Sequence, residues 1–266
     1  MPDPASDPYA QLDRPEILMF LFHPRPEWRS SKRDTKGEDL LIPVEGDIVV
    51  GARFHPSDTQ APTILFFHGN GEIVADYDDL APAYTRMNLN FLPVDYRGYG
   101  RSTGEPSVSA MMRDCHVILD VVLEWLAQHG YPGPLIIMGR SLGSASALEL
   151  ASRHPDRFQA LIVESGFARI SPLLQRLGLD VGAMRLNEDA VPSNLDKMAR
   201  VKMPTLVIHA EQDHISPFSD GEALFDASPA PDKTFLKIPG ANHNDIFMRG
   251  FSEYMAAVKR LADTVM

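Results

Sequence analysis

Six short apolar runs recur along this chain, and longer stretches of helical spacing separate most of them. The runs are Thr63–Phe67, Asn90–Val94, Leu135–Met138, Ala160–Val163, Thr205–His209 and Thr234–Ile238. Helical patterns fall near 73–88, 107–129, 142–153 and 246–263. A strand that is apolar throughout must be covered on both faces, and helices between successive strands supply that cover. The pattern therefore predicts an α/β fold, a parallel sheet with helices on both faces. Upstream, Leu40–Val44 and Ile48–Phe54 flank Glu45-Gly46-Asp47 and read as a hairpin. Residues 1–16 read as a flexible N-terminal arm. Residues 17–266 read as a single domain, with 166–203 inserted between two strands as a short cap.

Composition narrows the function. The formal net charge of −11 over 266 residues disfavours nucleic acid, whose binding rests on Lys and Arg neutralising phosphates. It equally disfavours docking on anionic lipid. Ile17–Phe22 is far shorter than the roughly 20 apolar residues that span a bilayer, so no stable membrane insertion is expected. That run reads as a buried strand or packed segment. Met1–Arg14 lacks the basic start of a signal peptide, and the only cysteine, Cys115, allows no intramolecular disulfide. A cytoplasmic protein is the expectation.

One pentapeptide carries chemistry. Gly139-Arg140-Ser141-Leu142-Gly143 follows the run Leu135–Met138 and precedes the helical Ser144–Ala151. Strand, G-x-S-x-G, helix is the setting of a nucleophile elbow, a turn so tight that the serine hydroxyl is pushed outward. A serine needs a histidine to take its proton and an acid to orient that histidine. Ligand sites in parallel sheets lie at the carboxyl ends of the strands. Asp213, after Thr205–His209, and His243, after Thr234–Ile238, occupy such ends in the order Ser, Asp, His. Glu164 also ends a strand and is the alternative acid; Glu211 fits less well. His68 is expected to shape its loop, and His209 to be packed within its strand.

The tetrahedral intermediate needs two aimed N–H donors. The backbone N–H of Leu142 and that of Asn70, in the His68-Gly69-Asn70-Gly71 loop after Thr63–Phe67, are the candidates. No H-E-x-x-H, Cys/His cluster or phosphate-cradling glycine motif appears, so no metal and no cofactor is expected. His209, Asp213 and His214 were the one conceivable ligand group.

Five ordered motifs extend this pattern: Phe67-His68-Gly69-Asn70-Gly71, Asp95–Ser102, Gly139–Gly143, Asp213–Pro217 and Gly240–Asp245. From about Leu41 onward the chain resembles the α/β-hydrolase superfamily, in particular serine-aminopeptidase-like and monoglyceride-lipase-like hydrolases. The resemblance implies a mostly parallel eight-stranded sheet and assigns nucleophile, acid and base to Ser141, Asp213 and His243. The sequence departs from the family at His209-Ala210, where His-Gly is frequent, and at Ser144, where a further glycine is common.

The expected activity is a serine hydrolase acting on a small-molecule ester or thioester with a small-to-medium acyl group. Cap side chains, among them Phe167, Leu174 and Met184, are the candidate substrate contacts. A peptidase with the same triad is the second reading, with Glu164 or Glu72 as candidate partners for a substrate ammonium. A catalytically silent ligand-binding relative is the third. The physiological substrate and the oligomeric state are not legible in the sequence.

Overall fold

The computed structural model describes residues 7–28 and 37–266. Eight strands form one sheet in the order β1-β2-β4-β3-β5-β6-β7-β8. They are β1 Glu38–Glu45, β2 Ile48–Phe54, β3 Thr63–Phe67, β4 Asn90–Val94, β5 Leu135–Arg140, β6 Ala160–Glu164, β7 Thr205–Ala210 and β8 Lys233–Ile238. The hairpin β1–β2 is antiparallel and joins β4 antiparallel; every later pairing is parallel. The period-2 alternation of strands sorts side chains into two cores. Leu65, Phe67, Ile137, Leu161 and Val163 face one side. Ile64, Phe66, Ile136, Met138 and Ile162 face the other.

The helices are α1 Pro15–Leu21, α2 Ala81–Thr85, α3 Val108–Gln128, α4 Gly143–Arg153, α5 Ile170–Arg176, α6 Val181–Met184, α7 Asn194–Met198, α8 Phe218–Ala227, α9 Ile246–Arg249 and α10 Phe251–Asp263. The helical pattern over 73–88 breaks into a 3₁₀ turn, Val74–Tyr77, and α2. Pro82 explains the break. It has no N–H to give and its ring clashes with the carbonyl four residues back, so it can stand only in the first turn of a new helix. The pattern over 246–263 splits at Gly250.

Two expectations need correction. Of the two readings of Ile17–Phe22, the packed segment holds and the strand does not: Ile17 and Leu21, one turn apart on α1, are buried while Met19 is 65% exposed. The N-terminal arm is not loose over 7–16. Tyr9 and Leu12 are buried, and the Tyr9 hydroxyl donates to Glu149 Oε2 at 2.9 Å. Gln11 exchanges two hydrogen bonds with the backbone of Asn187, and Arg14 donates to Met184 O at 2.7 Å. Residues 1–6 lie outside the described residues. The insertion expected at 166–203 supplies α5, α6 and α7. No helix among the described residues is long and apolar enough to cross a membrane.

Candidate active site

Ser141 sits between β5 and α4 at φ 49°, in the left-handed region that non-glycine residues avoid. Two close approaches enforce this turn. A Cβ on Gly139 would lie 2.4 Å from Gly143 O, and one on Gly143 would lie 2.1 Å from Phe67 O. The elbow is thus pressed against the end of β3, where the His68–Gly71 loop begins. The Ser141 amide donates to Glu164 O at 2.9 Å, and Ser144 gives both its N–H and its hydroxyl to Ser141 O at 3.0 and 2.6 Å. Ser144 therefore fastens the turn at the position where the sequence departs from the resemblance.

Ser141, Asp213 and His243 meet. The loop after β8 places His243 Nε2 2.8 Å from Ser141 Oγ and His243 Nδ1 2.7 Å from Asp213 Oδ2. A carboxylate can only accept, so the ring proton lies on Nδ1 and Nε2 is left to accept from the serine hydroxyl. Asp213 Oδ1 takes the amides of Ile215 and Ser216 at 3.0 and 2.8 Å. Burial pushes the Asp213 carboxyl up, but the bond and charge of His243 and these two amides outweigh it and hold it below the ordinary range. The His209-Ala210 departure leaves this loop intact: buried His209 donates from Nε2 to Ser216 O at 2.8 Å.

Glu164 does not reach this chain of contacts. It is buried between Arg140 Nε at 3.1 Å and the Tyr254 hydroxyl at 2.6 Å. Burial raises its carboxyl above the ordinary range, and Arg140 and Tyr254 offset only part of that. Glu72 takes the other side of Arg140 at 2.5 Å and accepts from Gly69 N at 2.7 Å and the Tyr77 hydroxyl at 2.6 Å. Burial opposes its ionisation, yet Arg140 and Tyr77 draw it below its range. Arg140 also donates to His243 O at 2.8 Å. One guanidinium thus joins the elbow, the Gly69 loop and the histidine loop. The sequence offered no signal for this beyond Arg140 being one of the two variable residues of the pentapeptide.

The Asn70 side chain turns toward the N-terminal segment. Its Oδ1 accepts from His23 N and the Tyr99 hydroxyl at 2.8 and 2.7 Å, and its Nδ2 meets His23 Nδ1 at 2.8 Å. Its backbone N–H, like that of Leu142, finds no acceptor among the described residues. Buried His68 bonds Gly69 O and Asp95 and shapes the loop, as expected.

Beside Leu142 lies a cavity of about 50 Å³ whose lining is mostly apolar, with Leu12, Leu21, Met111 and Phe167 among its walls. Of the three candidate contacts, Phe167 borders this cavity. Leu174 is wholly buried in the core, and Met184 packs half-buried at the end of α6. Neither borders the cavity. Leu12 and Leu21 were missed, because nothing in the sequence ties residues so near the start to the cap. No group of three or more His, Cys, Asp or Glu side chains among the described residues is arranged to hold a metal.

The family described as serine aminopeptidase, S33, matches residues 58–193, just over half of the chain. The chain is 31% identical over 248 residues to alpha/beta hydrolase domain-containing protein 17C of Xenopus tropicalis, across 89% of this chain and 73% of that relative. The esterase Pf2001 of Pyrococcus furiosus superposes with a TM-score of 0.73 at 14% identity, over 91% of this chain and 99% of that one. The monoacylglycerol lipase of Paleococcus ferrophilus does so at 0.62 and 18% identity, over 80% and 98%. At such identities these two likenesses establish the fold. The family match and the long alignment to its relative place this chain among the hydrolases: it belongs to the serine aminopeptidase, S33, family of α/β-hydrolases.

Proposed function

We propose that this protein is a serine hydrolase that cleaves esters or thioesters of small-to-medium acyl groups through an acyl-enzyme on Ser141. The observation that carries the reading is the unbroken relay from Ser141 Oγ through His243 to Asp213, at 2.8 and 2.7 Å. His243 Nε2 takes the hydroxyl proton as Oγ bonds to the acyl carbon. The carbonyl electrons move to oxygen, where the free N–H groups of Leu142 and Asn70 are available to receive the charge. His243 then returns the proton to the departing alcohol or thiol. Water repeats the sequence and releases the acid. Asp213 stays ionised and orients the ring.

An ester is favoured over a peptide. Recognition of a free amino terminus needs an unpaired carboxylate nearby, and both candidates, Glu72 and Glu164, are held by Arg140. A silent relative would have no use for the strained turn at Ser141 or its relay. We further propose a cytoplasmic enzyme with a small-molecule substrate and neither nucleic acid nor membrane insertion, consistent with the acidic charge and one buried free thiol, Cys115. Labelling with a fluorophosphonate tests the mechanism. Wild type should label at Ser141 and Ser141→Ala should not, with unchanged circular dichroism. Equal labelling of the Ala variant would remove Ser141 from the reaction.

A further inference from the structure

The cavity beside Leu142 is mostly apolar, but it also meets polar groups. Lys197 and Asn194 of α7 and Tyr9 line it, and each is at most 9% exposed. Lys197 Nζ has three N–H bonds to give. One acceptor is an oxygen, Glu149 Oε2 at 2.9 Å; the next is the weak Met112 Sδ at 3.8 Å, and the Tyr9 ring centroid stands 5.2 Å away. Asn194 gives one N–H to Phe167 O at 2.9 Å. Its side-chain oxygen and second N–H make no hydrogen bond with a described residue. Buried donors without acceptors are costly.

The charge balance at this end selects a ligand. Lys197 and Glu149 form the buried pair. Arg153 meets Glu149 Oε1 at 3.3 Å but is more than half exposed and screened by water. Exposed Arg169 and Glu188, which also line the cavity, cancel in sign. A carboxylate there would therefore be repelled by Glu149 and an ammonium by Lys197. An alkyl end would leave the spare donors unmet. A neutral carbonyl or hydroxyl oxygen satisfies them. Glu149 follows Leu142 by about two turns of α4, and helical side chains lean back toward the N-terminus. The polar end is thus set about one turn, roughly 5 Å, from the reacting carbonyl, the reach of a 5-oxo group. We propose that the acyl pocket is shaped for a chain carrying an uncharged oxygen near its far end, with Lys197 and Asn194 as the residues that determine this specificity. The inference rests on the acyl-enzyme reading given under Proposed function.

The test compares p-nitrophenyl hexanoate, 5-oxohexanoate and the mono-ester of glutaric acid, with each rate divided by that of spontaneous hydrolysis. Wild type should favour the 5-oxo ester over the hexanoate in kcat/KM by about tenfold, the size of one hydrogen bond to a charged donor. The anionic ester should be the poorest. Asn194→Leu should reduce the preference, and Lys197→Met combined with Glu149→Gln, which strands no buried charge, should abolish it. The wild-type ratio decides the point even where a variant fails to fold. If Ser141 labels with fluorophosphonate and the esters turn over without the 5-oxo preference, or if the double variant keeps it, this inference falls while the mechanism stands. If Ser141 neither labels nor turns over any ester, the mechanism falls and takes the inference with it.

Discussion

At the scale of residues, the relay separates two carboxylates that the sequence could only rank, Asp213 ahead of Glu164. Asp213 and Glu164 both end strands, and only the fold shows that Asp213 faces His243 while Glu164 faces Arg140 and Tyr254. Asp213→Asn should lower kcat by about 10⁴, because the amide would favour the wrong ring tautomer, as in the triad used as a template for this chemistry. Glu164→Gln should cost far less turnover. A ranking in the opposite sense, measured on one p-nitrophenyl ester, would move the acid to Glu164. The order of Ser141, Asp213 and His243 was legible because each stands at a strand end marked by local sequence. The partners of Glu164 were not legible, since they depend on which way two neighbouring loops turn. Leu174 shows the same limit at the cap: a leucine at helical spacing reads alike whether it lines a cavity or fills a core.

At the scale of elements, the apolar strands were legible because five or six buried residues in a row leave little alternative. The helix over 73–88 was misread because its apolar spacing hid the effect of Pro82. What joins the elements was hidden as well, because Arg140 and Glu149 act through partners distant in sequence. Arg140 ties the ends of β5 and β6 to both site loops. Arg140→Met should therefore lower kcat and slow fluorophosphonate labelling by up to about 100-fold with KM little changed, as expected when reacting groups are displaced by about 1 Å. Unchanged labelling of the folded variant would reduce Arg140 to a structural role. Glu149 ties α4 to α7 and the N-terminal segment. Burial pushes its carboxyl up, but His116, Lys197 and Tyr9 together hold it far below the ordinary range. A carboxyl depressed in the folded state contributes stability above its unfolded pKa of about 4.3, and that stability is lost as pH falls through the folded value. Thermal melts from pH 7 to pH 3 should show wild type losing stability more steeply than Glu149→Gln. Parallel losses would show that other groups govern the acid response.

At the scale of the whole molecule, the N-terminal segment is the part the sequence hid most completely. Its apolar residues form only about two helical turns, and their meaning lies in contacts with residues 47 to 176 positions away. Tyr9 reaches Glu149, Gln11 reaches Asn187, Ser109 N donates to Asp13, and Asn70 bonds His23. The segment spans the cap, closes one wall of the cavity beside Leu142 and steadies the loop that carries Asn70. On the acyl-enzyme reading proposed above, substrate length would be set by three parts of the chain together: α4, the cap and residues near the start. A cavity of about 50 Å³ leaves room for a short chain before its walls must part. Each CH₂ buried should improve binding by about 0.8 kcal/mol until the cavity is full. In a series of p-nitrophenyl n-alkanoates, kcat/KM should rise over the short members and then level or fall. Leu12→Ala should cost about 2–5 kcal/mol of stability and move that break to longer chains, because Leu12 is buried against the cavity. An unbroken climb to long-chain esters in wild type, or a break that stays put in the Leu12 variant, would show that the acyl group lies elsewhere.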